Sequence, residues 1–171
     1  MPQRQETRDL VARMKLIPLQ DLIQGRRILF CEDSIVRGTQ LQDTIQRLYD
    51  AGAREVHMRA ACPPLLFGCR FLNFSRSRSD YDLLARRTIR ELEGETPVDL
   101  KMYADEMTPQ YAAMVERMNR RLSLSTLQFQ KMEDMVAATT LPKTKLCTYC
   151  RDGCEGCVPT AHYEDRGTGS E

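Results

Sequence analysis

The segment 28–39 constrains the fold more than any other part of this chain. It opens with Ile28-Leu29-Phe30-Cys31, an apolar run that is too short for a helix and is typical of a strand buried on both faces. Two acids, Glu32 and Asp33, follow the run, and a turn containing Gly38 then leads into residues with helical spacing. Open α/β sheets bind their ligands at such strand-to-helix turns.

The residues after this turn predict a helix and then a second strand. The apolar positions with helical spacing are Leu41, Ile45 and Leu48, and those that alternate as in a strand are Val56, Met58 and Ala60. Gly52 separates the two elements as a left-handed helix stop. Such a unit closes as a right-handed crossover between parallel strands, so the predicted class is α/β. Two strands cannot bury both faces of a sheet, and the sequence downstream offers no others.

The rest of the chain is predicted to be mainly helical. One helix is expected over residues 80–93 and is ended by Gly94, and another begins at Thr108-Pro109, a capping residue followed by proline. The residues expected to face the core are Leu84, Ala85, Ile89 and Leu92 in the first helix and Tyr111, Val115, Met118 and Leu122 in the second. A short extended piece at 127–129 and a short helix at 132–138 follow, and the methionines of the helix that begins at Thr108-Pro109 are interpreted as core filler.

Composition limits the partners of the chain. The formal net charge is +1 and the pI is about 7.6, so no long-range field draws the chain toward nucleic acid or an anionic membrane. No apolar run approaches the roughly 20 residues that span a bilayer, and the first residues lack the pattern of a signal peptide. We therefore expect a cytoplasmic protein that binds neither nucleic acid nor membrane.

The turn after the first strand has the parts of a phosphate site. It combines exposed backbone N–H groups, a glycine that allows close approach, and the hydroxyls of Ser34 and Thr39 at a helix N-terminus. Glu32 and Asp33 can accept hydrogen bonds from sugar hydroxyls or hold Mg²⁺. The alternative is an ordinary turn in which the acids and Ser34 cap the helix. Arg37 either adds a charged donor or points to solvent.

Seven cysteines are many for such a chain. Four lie close together, at Cys147, Cys150, Cys154 and Cys157, and paired C-x-x-C spacing is typical of a zinc or iron–sulfur site. Cys31 on the predicted strand and Cys62 beside a proline are expected to be packed rather than reactive.

With these motifs, the chain resembles the C-terminal part of the amidophosphoribosyltransferases, which are the glutamine phosphoribosylpyrophosphate amidotransferases of purine synthesis. The wording Asp33-Ser34-Ile35-Val36-Arg37-Gly38-Thr39 is that of this family. The likeness covers about residues 5–153, and it continues at 13–16, at 52–59, at Cys62-Pro63-Pro64 and at Cys147-Thr148-Tyr149-Cys150.

The resemblance implies a fold and its division. Residues 1–100 would form a partial type I phosphoribosyltransferase fold with its phosphate loop at 32–39. Residues 101–160 would form a helical C-terminal extension with the cysteine cluster, and residues 161–171 a loose tail.

The resemblance also implies site residues. The 5-phosphate of phosphoribosylpyrophosphate would be bound by Ser34, Ile35, Val36, Arg37, Gly38 and Thr39. Its ribose hydroxyls and Mg²⁺ would be held by Glu32 and Asp33, and Glu32 departs from the aspartate that many members carry. Some members hold a [4Fe–4S] cluster, for which Cys69, Cys147 and Cys150 match three ligands while the fourth would lie before Met1. Cys154 and Cys157 could replace that ligand, form a zinc site with His162, or be incidental thiols.

Members of the family transfer glutamine-derived ammonia to phosphoribosylpyrophosphate, give 5-phosphoribosylamine, and act as homo-oligomers. This chain shows no glutaminase nucleophile, pyrophosphate loop or flexible catalytic loop. We therefore expect it to be inactive alone and to associate with the missing N-terminal glutaminase and transferase portion. Two other interpretations stay open, namely a non-catalytic phosphoribosyl- or nucleotide-binding module and a small metal-binding protein.

Overall fold

A computed structural model describes residues 18–69, 71, 80–94 and 98–154 of the chain. The strands are β1 (Arg27–Glu32), β2 (Glu55–Ala60) and β3 (Thr126–Phe129). The helices are α1 (Gln20–Ile23), α2 (Thr39–Asp50), α3 (Leu84–Glu93), α4 (Lys101–Ala104), α5 (Pro109–Arg121), α6 (Met132–Ala138) and α7 (Tyr149–Asp152), with 3₁₀ turns at Asp80–Asp82 and Lys143–Lys145. The predicted tail, Cys157 and His162 lie outside the described residues.

The three strands form one parallel sheet in the order β1-β2-β3. Ile28 pairs with Val56, and Met58 pairs with Leu127. The predicted parallel unit of strand, helix and strand is therefore confirmed. The expectation that the sequence downstream offers no further strand was wrong, because the extended piece joins the sheet as β3. Its four residues were too few to distinguish a strand from a loop.

Only one face of β1 is covered by the described part of the chain. Ile28 and Phe30 are partly buried against the core, whereas Leu29 is 62% exposed and Cys31 is exposed as well. The prediction of a strand buried on both faces, with Cys31 packed inside, was wrong. A short apolar run has the same appearance whether one face of the sheet or both are covered.

The core lies between the sheet and the helices. Val56, Met58 and Ala60 are buried on the same face of β2, as the alternation predicted. Met114 and Met118 of α5 are also buried, which confirms their interpretation as core filler.

Two of the predicted helices are confirmed, one at its start and the other at its end, although the helix predicted over 80–93 begins only at Leu84, after a 3₁₀ turn at Asp80–Asp82. Thr108 caps α5, because its Oγ1 accepts a hydrogen bond from the N–H of Tyr111 at 3.1 Å. Gly94, at φ +76°, ends α3. Leu92, expected to face the core, is instead 41% exposed, because helical spacing does not indicate where the neighbouring elements end.

The hydrophobic core draws residues from both sides of position 100. The division into a transferase part and a helical extension at that position stays a prediction. None of the helices within the described ranges is long and apolar enough to cross a bilayer.

Candidate functional site: the loop between β1 and α2

The predicted phosphate loop lies at the carboxyl end of β1. The strand ends at Glu32, and α2 begins at Thr39. Gly38 precedes the helix in the left-handed conformation, with φ +76° and ψ −9°. A non-glycine residue is strained at this φ. The sequence therefore placed the loop, the glycine and the start of the helix correctly.

The backbone N–H groups of residues 35–39 have no hydrogen-bond partner in the described part of the chain. No side chain caps α2 either, so the alternative in which Ser34 or the acids merely cap this helix is wrong. The N–H of Ser34 instead donates to Oδ1 of Asp33 at 2.5 Å. Unpaired N–H groups at a helix start favour an anion.

The carbonyl groups of the loop are held by α3. The carbonyl of Val36 accepts a hydrogen bond from the N–H of Leu84 at 2.8 Å. The carbonyl of Arg37 accepts one from Nη2 of Arg87 at 2.5 Å. Gly38 lies so close to α3 that a Cβ at this position would be 2.9 Å from Cδ2 of Leu84. One side of the loop is therefore fastened while the other stays open.

The two acids differ in environment. Glu32 is half-buried, and this burial raises the pKa of its carboxyl, with a further increase from the charge of Asp33. Asp33 is exposed. Carboxylates that repel each other at a strand end are suited to a divalent cation or to sugar hydroxyls. In the described part of the chain, however, no group of three or more His, Cys, Asp or Glu side chains could hold a metal ion.

Arginines line the cleft beside the loop. The cleft has a volume of about 250 Å³, and its walls include Gly38, Thr39, Arg37, Arg87 and Arg121. The side chain of Arg37 is 56% exposed, and its Nη2 lies 3.8 Å from Oδ2 of Asp82. Of the two predicted roles for Arg37, the structure shows a largely solvated guanidinium with a distant acidic partner.

The cysteine turn (residues 147–154) packs against the segment after β2. The carbonyl of Cys150 accepts hydrogen bonds from the N–H groups of Leu66 at 3.0 Å and Phe67 at 3.1 Å. The ring of Tyr149 lies 5.4 Å from that of Phe67, measured between centroids. These contacts place the C-x-x-C pair beside the segment that leads to Cys69.

Asp152 stabilises this turn, and the sequence analysis did not identify it. Its carboxylate accepts hydrogen bonds from Oγ1 of Thr148 at 3.0 and 3.1 Å and from the N–H of Cys154 at 3.0 Å, and it pairs with Nζ of Lys143 at 3.0 Å. Burial alone would raise the pKa of Asp152, but the hydrogen bonds from Cys154, Lys143 and Thr148 together lower it. An acid two residues before a cysteine gives no sequence signal for such a role.

Two neighbouring cysteines affect the thiol of Cys150. Burial raises the pKa of the Cys150 thiol, Arg151 opposes this shift, and Cys69 and Cys147 add to it. Cys147 is exposed, whereas Cys62, Cys69, Cys150 and Cys154 are half-buried. The three predicted cluster ligands are thus brought near one another, but as placed they do not form a metal site.

No family model matches the chain. The amidophosphoribosyltransferase of Mycobacterium tuberculosis is 32% identical over 149 residues, which are 87% of this chain and 24% of that protein. The amidophosphoribosyltransferase of Synechococcus elongatus is 40% identical over 102 residues, which are 60% of this chain and 20% of that protein.

Two solved structures share the fold at 24% identity. One is the glutamine phosphoribosylpyrophosphate amidotransferase from B. subtilis complexed with ADP and GMP, with a TM-score of 0.56 over 90% of this chain and 29% of that one. The other is described as the allosteric regulatory enzyme of purine biosynthesis, with a TM-score of 0.57 over 96% of this chain and 30% of that one. The predicted partial type I phosphoribosyltransferase fold is confirmed.

The chain spans about a quarter of the length of the curated relatives that match most of it, 24% in M. tuberculosis and 26% in Methanothermobacter thermautotrophicus. The match to these relatives covers 87% of this chain and includes both the loop after β1 and the fold around it. By sequence and by fold, this chain belongs to the amidophosphoribosyltransferase family.

Proposed function

We propose that the loop of residues 34–39 binds the 5-phosphate of phosphoribosylpyrophosphate and that the chain supplies the ribose-phosphate site of an amidophosphoribosyltransferase. The observation that carries the proposal is the set of N–H groups of residues 35–39, which find no acceptor among the described residues and lie at the start of a twelve-residue helix. A phosphate dianion at this position would satisfy these donors and gain from the helix dipole.

The acids extend this site toward the sugar. Glu32 and Asp33 follow β1 directly, next to the loop that would hold the phosphate. Their oxygens can accept hydrogen bonds from the 2- and 3-hydroxyls of ribose, and they are the hard ligands that Mg²⁺ prefers. Mg²⁺ would neutralise the pyrophosphate as it leaves. A phosphate on one side and a diol on the other would fix the orientation of the ribose.

In the reaction of the family, ammonia derived from glutamine attacks C1 of the ribose and pyrophosphate leaves. The residues of this chain would bind and orient the substrate in that step, and we infer no proton transfer by any of them. Such fixing of a reacting carbon contributes by proximity and orientation. The inactivity of the chain alone, its association with a glutaminase portion, and homo-oligomerisation stay predictions.

An iron–sulfur cluster would be held by three cysteines of this chain. Cys69 and Cys147 both help to raise the pKa of the Cys150 thiol, yet the described residues contain no group that could hold a metal as placed. The proposed binding of the substrate does not depend on a cluster. Iron, zinc and sulfide analysis of anaerobically purified protein distinguishes the possibilities: about four irons with sulfide indicates the cluster, and one zinc indicates the alternative site.

Calorimetric titration tests the phosphate site. The chain is titrated with ribose 5-phosphate, and then with phosphoribosylpyrophosphate and Mg²⁺, while ribose serves as the control without phosphate. We expect both phosphorylated compounds to bind and ribose to give no measurable heat. Equal binding of ribose and ribose 5-phosphate, or no binding of any of the three, would contradict the proposal.

A further inference from the structure

We propose that Arg87 is a positioning residue for the phosphate loop, which it clamps to α3 so that the loop N–H groups face the ligand. The inference rests on the proposed function, because it assigns Arg87 a role in presenting those N–H groups. It concerns a residue outside the 32–39 motif, on a helix that begins more than forty positions later in the sequence.

Arg87 bridges two segments with its two terminal nitrogens. Nη2 donates to the carbonyl of Arg37 at 2.5 Å, and Nη1 donates to the carbonyl of Asp82 at 3.3 Å. Asp82 ends the 3₁₀ turn that precedes α3. The guanidinium therefore connects the phosphate loop to the chain that enters α3.

A second hydrogen bond fixes the preceding peptide group of the loop, so that its carbonyl also points toward α3. The N–H of Leu84 donates to the carbonyl of Val36 at 2.8 Å. Two consecutive carbonyls of the loop, those of Val36 and Arg37, thus both point toward α3.

Because each carbonyl shares a rigid peptide group with the next N–H, fixing the carbonyls also fixes the direction of the N–H groups of Arg37 and Gly38. In a trans peptide the C=O and N–H groups point in opposite directions, and none of the described peptide bonds is cis. Holding the carbonyl of Val36 toward α3 turns the N–H of Arg37 away from it, and the carbonyl of Arg37 does the same for the N–H of Gly38. The clamp therefore presents both donors on the open side of the loop.

Arg87 is suited to this role and not to binding the phosphate itself. Nη1 and Nη2 already donate to carbonyls, and Nε is buried and makes no hydrogen bond within the described residues. Burial lowers the pKa of the guanidinium, and the nearby charge of Arg121 lowers it further. A planar fork can bridge two carbonyls, whereas the single ammonium of lysine presents a point charge.

The test uses Arg87→Met and Arg87→Lys, with Arg120→Met as the matched control. Arg120 is an exposed arginine of α5 that pairs with Glu116 four residues earlier. Ribose 5-phosphate and inorganic phosphate are titrated into each variant by calorimetry, and the amide signals of Arg37 and Gly38 are recorded by ¹⁵N NMR.

We expect Arg87→Met to weaken ribose 5-phosphate binding by about tenfold, as for loss of one charged hydrogen bond. Arg87→Lys should weaken it as well, the Arg37 and Gly38 amides should shift in both variants, and Arg120→Met should match the wild type. Wild-type affinity in Arg87→Lys would overturn the clamp, because charge alone would then suffice. That variant also decides the question if Arg87→Met does not fold. If the wild type itself binds no phosphate compound, the proposed function falls and the role of Arg87 falls with it.

Discussion

The phosphate loop and the cysteine turn are both short, irregular segments next to a helix, yet they satisfy their polar groups in opposite ways. In the loop, the carbonyls of Val36 and Arg37 are bonded to α3 while the N–H groups of residues 35–39 find no described acceptor. In the turn, the carboxylate of Asp152 accepts hydrogen bonds from Thr148 and Cys154 and forms an ion pair with Lys143.

The difference separates a loop whose backbone donors find no acceptor in the described part of the chain from a turn whose carboxylate is already bonded. Unpaired donors at a helix start gain free energy when an anion arrives. A turn whose carboxylate is fully bonded gains nothing of this kind, and its thiols, as placed, do not form a metal site. Ligand binding should therefore depend on the loop, and local stability on the turn.

Gly38→Ala should have the largest effect, because it disturbs the loop in two ways. The new Cβ would stand at φ +76° and 2.9 Å from Cδ2 of Leu84. The left-handed conformation and the overpacking together should cost about 2–4 kcal/mol of unfolding free energy. We also expect ribose 5-phosphate binding to be lost. Urea denaturation and calorimetry measure the two effects.

Gly94→Ala is the matched control for this variant. Gly94 has the same φ of +76°, but a Cβ there would meet no atom within 4 Å. The ψ of Gly94 is −146°, a region that other residues also avoid, so only a conformational cost of about 1–3 kcal/mol should appear, and binding should be unchanged. Equal losses of ribose 5-phosphate binding in the two variants would contradict the assignment of the binding site to the loop.

Asp152→Asn should destabilise the cysteine turn by about 1–2 kcal/mol, because it weakens hydrogen bonds to a charged acceptor. Asp134→Asn, at an exposed position of α6, is the control and should change the unfolding free energy little. Phosphate binding should stay at the wild-type level in both. A loss of binding in Asp152→Asn would contradict the separation of the two segments.

The same residue gives a pH dependence with a defined sign. The folded-state pKa of Asp152 is lowered, so the stability it contributes is present at neutral pH and is lost as the pH falls through that lowered pKa. Asp152→Asn should remove this part of the acid dependence. Unfolding curves measured at a series of acidic pH values compare the two proteins.

Binding of Mg²⁺ with phosphoribosylpyrophosphate should weaken on mild acidification. The pKa of Glu32 is raised by burial and by Asp33, so this carboxyl takes up a proton at a higher pH than an ordinary glutamate does. The charged form holds the cation, and it is lost as the pH falls through the raised pKa. Glu32→Gln should bind Mg²⁺ less tightly and lose this pH dependence. Calorimetry at several pH values compares the wild type with Glu32→Gln. The same Mg²⁺ affinity and the same pH dependence in both proteins would contradict the assignment.

Thiol reactivity should show the smallest of these differences. Cys31 and Cys147 are exposed, whereas Cys150 is half-buried and burial raises the pKa of its thiol. Alkylation near neutral pH, followed by peptide mass spectrometry, should therefore modify Cys31 and Cys147 before Cys150. A Cys150 that reacts first would show that the packed form of the turn is not the one present in solution.

Local sequence signals predicted the parts of the fold that depend on local chemistry. Gly38, Gly52 and the pair Thr108-Pro109 are residues whose backbone preferences fix a helix start or end, and the structure places them there. Alternation in β2 likewise gave the buried face correctly.

The features that the sequence did not predict depend on contacts between distant segments. Leu29 and Cys31 are exposed because the helices cover the opposite face of β1. The strand β3 has only four residues, which are too few to give a recognisable alternation. Arg87 lies in an Arg86-Arg87 pair on a helix, which is typical of a solvated charged face. Its hydrogen bond to the carbonyl of Arg37 joins residues fifty positions apart, and the spacing of residues along the helix does not indicate such a contact.

The central claim is that the open N–H groups of the loop bind a phosphate, and ¹⁵N NMR of the labelled chain during titration with ribose 5-phosphate tests it most directly. We predict that the amide signals of residues 35–39 shift in a saturable manner, with those of Gly38 and Thr39 among the largest, while the amides of the cysteine turn stay in place. Ribose should produce no such shifts. Saturable shifts confined to other parts of the chain, or none at all, would contradict the assignment of this loop.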